Sequence, residues 1–185
     1  MNETQKNLLR AFAGESLARN KYTFFAKKAN SEGYRQIGKI FLETADNERA
    51  HAERLFEFIK DLVETDSNFN VRQLGDTKEN LTQAAAGEHY EWNEMYPGFE
   101  KIARDEEEDK IAKVFKEIKE VEELHEARYL KLIKNLEEGS IFKKDKEVEW
   151  HCLNCGYVHK GTEAPKVCPA CGHPQSFYEL YCRNW

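Results

Sequence analysis

Glu48-x-x-His51 recurs 74 positions later as Glu122-x-x-His125. Glu15 and Glu88 repeat at a spacing of 73, inside the matching tripeptides Ala13-Gly14-Glu15 and Ala86-Gly87-Glu88, and Tyr22 returns as Tyr96. The pattern reads as a helical hairpin duplicated about a pseudo-two-fold axis. Apolar residues recur at steps of three and four around these positions, as in a helix with one buried face. The stripes run from Leu8 through Arg19 to Ala29, from Ile37 to Leu62, from Leu81 to Ile102 and from Ile111 to Leu136. The expectation is an all-α four-helix bundle with helices near 4–29, 34–64, from Thr77 (the expected N-cap), and 109–138. Pro97 falls inside the third helix and should kink it.

Burial of these stripes creates a charge problem. Glu15, Glu48, Glu88, Glu91 and Glu122 all lie at mid-stripe. An unpaired carboxylate in a dry core costs several kcal/mol or protonates. Five at one level require compensating cations, and two metal ions would supply them. One Glu from each of two helices with Glu-x-x-His from each of the other two is the ligand recipe of a di-iron carboxylate bundle. Carboxylate oxygen with imidazole nitrogen suits iron or manganese. Glu91 exceeds that recipe by one ligand. A lone Glu on an apolar face is usually a solvated residue, but recurrence at matched spacing argues against that here.

The remainder of the chain has a different character. All five cysteines lie between Cys152 and Cys182, and four form the pairs Cys152-x-x-Cys155 and Cys168-x-x-Cys171, each followed by Gly. Without an apparent secretion signal, such pairs read as metal ligation. Zinc ribbons use the same knuckles. The neighbouring redox-competent bundle favours one iron here, with zinc the alternative in protein as isolated. Domain limits are expected at 1–139 for the bundle, 140–149 for a charged linker, and 150–185 for a small β/loop metal domain.

The formal net charge of −6 argues against nucleic acid as partner. There is no apolar run of the roughly 20 residues that span a bilayer, and no membrane partner is expected. The polar start of the chain reads as that of a cytoplasmic protein.

Both modules together resemble the rubrerythrin family, a ferritin-like di-iron bundle followed by a rubredoxin-like domain, and the likeness covers every ligand position. The resemblance implies that Glu48 and Glu122 bridge two irons, that Glu15 and Glu91 serve one, and that Glu88 and His125 serve the other. It further implies that His51 replaces Glu91 when the site is reduced, and that Tyr22 and Tyr96 hydrogen-bond ligand carboxylates. Cys152, Cys155, Cys168 and Cys171 would hold the third iron. The implied activity is NAD(P)H-linked reduction of hydrogen peroxide through an external donor, rubredoxin or a reductase, in oxidative-stress protection. A homodimer is implied, one subunit's thiolate-bound iron facing the other's di-iron site. The rival is a ferroxidase or iron-handling protein, which has no need of a fused one-electron inlet.

Other conspicuous residues read as structural. His89 points about 100° away from Glu88 on a helix. His151, His159 and His173 lie among knuckles whose four thiolates already complete a tetrahedron. Cys182 reads as a buried small hydrophobe, and residues 105–109 as a solvated acidic turn.

Overall fold

The computed structural model describes residues 2–59 and 75–183. Its helices are α1 (Glu3–Ser31), α2 (Arg35–Phe56), α3 (Thr77–Tyr90), α4 (Tyr96–Asp105) and α5 (Asp109–Glu137). A π-helical turn, Glu91–Met95, joins α3 to α4, so the two form one interrupted rod. The bundle therefore has four rods, with α1 against α2 and α3–α4 against α5. The expected continuation of the second helix to residue 64 ends early, at Phe56. Leu62 and most of the following loop lie outside the described residues.

Local chemistry explains the ends. Asn2 caps α1 by accepting from the Gln5 amide. Asp76, not Thr77, caps α3, and with Glu79 it forms a reciprocal capping box. Gly139 follows α5 with φ of 62°, a left-handed position that favours glycine. Pro97 does not bend a continuous helix as expected. It sits in the first turn of α4, where its missing N–H costs little. The π turn immediately before it absorbs one extra residue.

That extra residue accounts for the unequal repeat spacing. Leu8/Leu81, Ala11/Ala84 and Glu15/Glu88 precede the π turn and differ by 73; Tyr22/Tyr96, Phe25/Phe99 and Glu48/Glu122 follow it and differ by 74. π turns are commonly one-residue expansions at functional sites.

Two apolar clusters fill the bundle. One contains Tyr22, Phe25, Phe41, Leu81 and Tyr129; the other contains Leu8, Leu55, Tyr96, Ile111 and Phe115. The carboxylate positions lie between them on every rod, so a polar layer is enclosed by apolar material on both sides. Each fully buried large side chain contributes about 1.5–3 kcal/mol, which offsets the cost of that layer. Arg19, placed on the inward stripe from its spacing, is exposed.

The segment 140–149 is not a simple linker. It supplies most of β1 (Lys143–Cys152), the central strand of an antiparallel sheet in the order β2 (Val158–Glu163), β1, β3 (Tyr178–Leu180). Trp150 anchors this small core and donates from Nε1 to the Gly161 carbonyl at 3.0 Å. Phe142 packs against both the bundle and the small core, and its ring stacks on Tyr34 at 6.5 Å. Arg35 lies over the Phe177 ring at 4.0 Å, and Lys39 pairs with Glu179 at 2.9 Å. The module is thus seated on the start of α2.

Candidate metal centres

The bundle brings six of its seven expected metal-ligand residues into two overlapping groups. One is Glu15, Glu48, His51 and Glu122; the other is Glu48, Glu88, Glu122 and His125, with potential ligand atoms within 4.8 Å of one another in each. Glu48 and Glu122 belong to both and are therefore the residues able to bridge. Glu15, Glu48, Glu88 and Glu122 are no more than 2% exposed. Glu91, at the first position of the π turn, is half-buried and belongs to neither group. His51, rather than Glu91, stands beside Glu15.

The donor atoms fit a pair of cations. Glu15 Oε2, both oxygens of Glu48 and Glu122, and Nδ1 of His51 and His125 are buried without a hydrogen-bond partner. They are nevertheless close. His51 Nδ1 lies 2.9 Å from Glu122 Oε1 and 3.0 Å from Glu48 Oε2; His125 Nδ1 lies 2.7 Å from Glu122 Oε2. Atoms at these distances without hydrogen-bond alignment converge on shared points rather than on each other. Buried orphan acceptors are rare in native proteins and call for an ion or water.

The tyrosines have cross-connected roles. Tyr22 Oη donates to Glu88 Oε1 and Tyr96 Oη donates to Glu15 Oε1, each reaching into the opposite repeat. One oxygen of each carboxylate is thereby fixed, and the other is left for a ligand. Both hydroxyls are pushed well above the usual tyrosine range by burial and the adjacent carboxylates, so they remain donors. Asn47 supplies a further contact, its amide lying 3.2 Å from His125 Nε2.

Electrostatics describe a shell that holds protons when metal-free. Burial, reinforced by Glu122 and Glu48, raises Glu15 to about 8. Glu88 also rises to about 8, through burial and then the Glu48 and Glu122 charges. Glu91 is raised by burial and the Glu88 and Glu15 charges. For His125, burial opposes the charged ring, but Glu122, Glu48 and Glu88 outweigh it and lift the imidazole to about 12. His51 is raised in the same way by Glu122, Glu15 and Glu48.

The second site is built from two equivalent knuckles. Gly156 and Gly172 take φ of 80° and 73°, and their amides return to the Cys152 and Cys168 carbonyls at 2.9 Å. This turn brings the Tyr157 amide to the Cys155 sulfur and the His173 amide to Cys171. Cys152 and Cys171 sulfurs are 3.8 Å apart, and Cys155 and Cys168 sulfurs 3.7 Å apart. All four cysteines are free. A tetrahedron with metal–sulfur bonds of about 2.3 Å has edges of about 3.8 Å, so the cage has the size of one thiolate-bound ion. Amide donation from His173 heads the influences that lower the Cys171 thiol to about 6, favouring thiolate.

The bundle and cage define a class: a non-haem di-iron carboxylate oxidoreductase with an attached four-thiolate iron module. The family models agree, "Rubrerythrin" matching residues 6–133 and "Rubrerythrin, rubredoxin-like domain" matching residues 150–179. Rubrerythrin-1 of Clostridium acetobutylicum is 50% identical over 99% of this chain and 96% of its own length. Rubrerythrin of Nitratidesulfovibrio vulgaris is 50% identical over 100% of this chain and 97% of its own. A solved nigerythrin structure in a mixed-valent state superposes with a TM-score of 0.66, at 34% identity, covering 96% of this chain and 86% of that one. The chain belongs to the rubrerythrin family.

The residues set aside from the sites have other partners. His89 is exposed and pairs with Glu126 at 3.1 Å, an acceptor it shares with Trp92 Nε1. His151 lies 3.6 Å from Glu179. Cys182 is exposed rather than buried, contrary to expectation. Asn47 was missed by sequence reasoning. Its only signal was a break in the repeat, where Val121 occupies the matching position.

Proposed function

We propose that the chain is a peroxide reductase. The reading is supported above all by one observation: orphaned carboxylate and imidazole atoms sized for two ions share a chain with a four-thiolate cage. Reduction of hydrogen peroxide to two waters consumes two electrons and two protons. When bound, two irons in the bundle supply the electron pair for O–O cleavage, and a thiolate-bound iron refills them singly.

The chain's own groups supply the rest. Glu15, Glu48, His51 and Glu122 would hold one ion, and Glu48, Glu88, Glu122 and His125 the other, with Glu91 exchanging for His51 on oxidation. Tyr22 and Tyr96 keep the Glu88 and Glu15 carboxylates turned inward. The apolar clusters on either side of the layer exclude water. Glu91, half-buried and raised in its proton affinity, is placed to hold a proton on its carboxyl oxygen and pass it to a departing hydroxide. Four thiolates from Cys152, Cys155, Cys168 and Cys171 form the electron inlet, fed by rubredoxin or an NAD(P)H-linked reductase. The working form is a cytoplasmic homodimer protecting against peroxide.

The test is stopped-flow reoxidation of the fully reduced protein by hydrogen peroxide and by dioxygen at matched concentrations. Peroxide should react faster, because dioxygen requires four electrons and one bundle stores two. Glu91→Ala should slow the peroxide reaction and leave the spectrum of the thiolate site unchanged. Equal rates, or an advantage for dioxygen, would favour a ferroxidase instead.

A further inference from the structure

The two histidines occupy equivalent places in the repeat yet have unequal surroundings. Asn47 precedes Glu48 and reaches across to His125 Nε2 at 3.2 Å. Its counterpart before Glu122 is Val121, which has no hydrogen-bonding group to offer His51. Among the described residues none hydrogen-bonds to His51 Nε2, and the ring's polar contacts are all made through Nδ1. The His51 side chain is 13% exposed, against 5% for His125. In both rings Nδ1 faces the carboxylate layer.

We infer that Asn47 is a positioning residue that makes His125 the permanent ligand, and that Val121 leaves His51 free to exchange. The inference rests on the proposed exchange of His51 with Glu91. When Nδ1 binds a metal, Nε2 keeps its proton and must donate it. An amide presents an oxygen or an NH2 group after a half-turn, so Asn47 can accept that proton through Oδ1. The held ring cannot swing away without leaving the Nε2 proton in a nearly dry site. His51 loses nothing comparable, because its ring remains in touch with solvent. Outer partners of this kind fix ring orientation and raise ligand basicity, and losing one typically costs about 10–100-fold in metal affinity. One side chain per repeat thus divides two equal histidines into an anchor and a switch.

Three variants of the full chain, with the four-cysteine site already filled, test the assignment. Anaerobic Fe(II) titration reads affinity, and crystal structures of the oxidised and reduced forms read which atoms bind iron. Asn47→Leu keeps the volume and removes the acceptor, so Fe(II) affinity should fall about 10–100-fold at the His125 position. Asn47→Asp keeps an acceptor and should restore the affinity. Val121→Asn should give His51 an anchor, leaving it bound to iron in the oxidised form and Glu91 displaced. Unchanged affinity in Asn47→Leu, failure of Asn47→Asp to rescue, or normal exchange in Val121→Asn would overturn the inference. If wild-type oxidised and reduced crystals show no exchange at His51, the underlying reading fails instead. The two failures are therefore distinguishable.

Discussion

Glu32, at the end of α1, accepts a hydrogen bond from the Thr77 amide at 2.8 Å and another from the Thr77 hydroxyl, at the start of α3. Glu106, 74 positions further on at the end of α4, does the same for Thr4 at the start of α1. Each repeat therefore covers the unsatisfied amides that open the other. The carboxylates also complement the positive helix ends.

These contacts predict an acid-sensitive seam. For Glu32, burial opposes ionisation, but Thr77 and Lys28 outweigh it and hold the carboxyl below its ordinary value of 4.5. Glu106 is likewise held low, first by the Thr4 hydroxyl and amide. A depressed carboxyl contributes stability above its unfolded value, and that stability is lost as pH falls through the folded value. Glu32→Gln and Glu106→Gln should each lower the melting midpoint at neutral pH. The gap from wild type should narrow as pH falls below 4.5 and through the depressed folded values, as thermal melts across pH 3–7 would show.

Metal uptake should release protons. Glu15 and Glu88 titrate near 8 in the metal-free shell. The sign is opposite to that of the caps: a raised carboxyl favours folding below its unfolded value and loses that contribution as pH rises toward 8. Glu48 is shifted the other way, downward, through His125 and His51 despite its burial. Metal-free protein should become less stable between about pH 5 and 8, and Fe(II) should restore the loss. Anaerobic titration should show affinity rising with pH over the same interval, with protons released on binding. A flat profile would contradict the protonated shell.

Removing either tyrosine hydroxyl should weaken metal binding before it affects the fold. Tyr22→Phe frees Glu88 and Tyr96→Phe frees Glu15, and the rings still fill their apolar clusters. An affinity loss of about 10-fold or more at the corresponding ion is expected in each, with helical circular dichroism unchanged.

The cage should separate cleanly from the bundle in function. Oxidised iron on four thiolates colours the protein red through charge transfer, and Cys155→Ser should abolish that colour. The reduced bundle of this variant should still react once with peroxide, while turnover from an external donor falls to background. Cys182→Ser should leave the colour intact, because that thiol stands outside the cage.

Much of the site was legible because its chemistry is periodic. Glu-x-x-His twice on helical spacing, and two Cys-x-x-Cys knuckles with glycines, each specify a local geometry. The π turn was not legible from Pro97 alone, since proline signals a break without specifying how the backbone absorbs it. Its trace was the change from 73 to 74 in repeat spacing. Strand β1 escaped notice because Lys143-Lys144-Asp145-Lys146-Glu147 has no apolar alternation to mark a buried face. The contacts of Glu32 with Thr77, and of Asn47 with His125, join residues distant in sequence and emerge only once the bundle has closed.

Phe142 belongs to two cores at once, stacked on Tyr34 of the bundle while its carbonyl accepts from the Ala164 amide of the module. The cysteine module is therefore not a detachable cassette. Excising it at residue 150 would leave most of its central strand behind, and Phe142 with it, so the small core would lose an aromatic side chain that packs against it. A graft intended to move the thiolate cage to another carrier has to bring Phe142 with it, together with a surface that can take Tyr34's place.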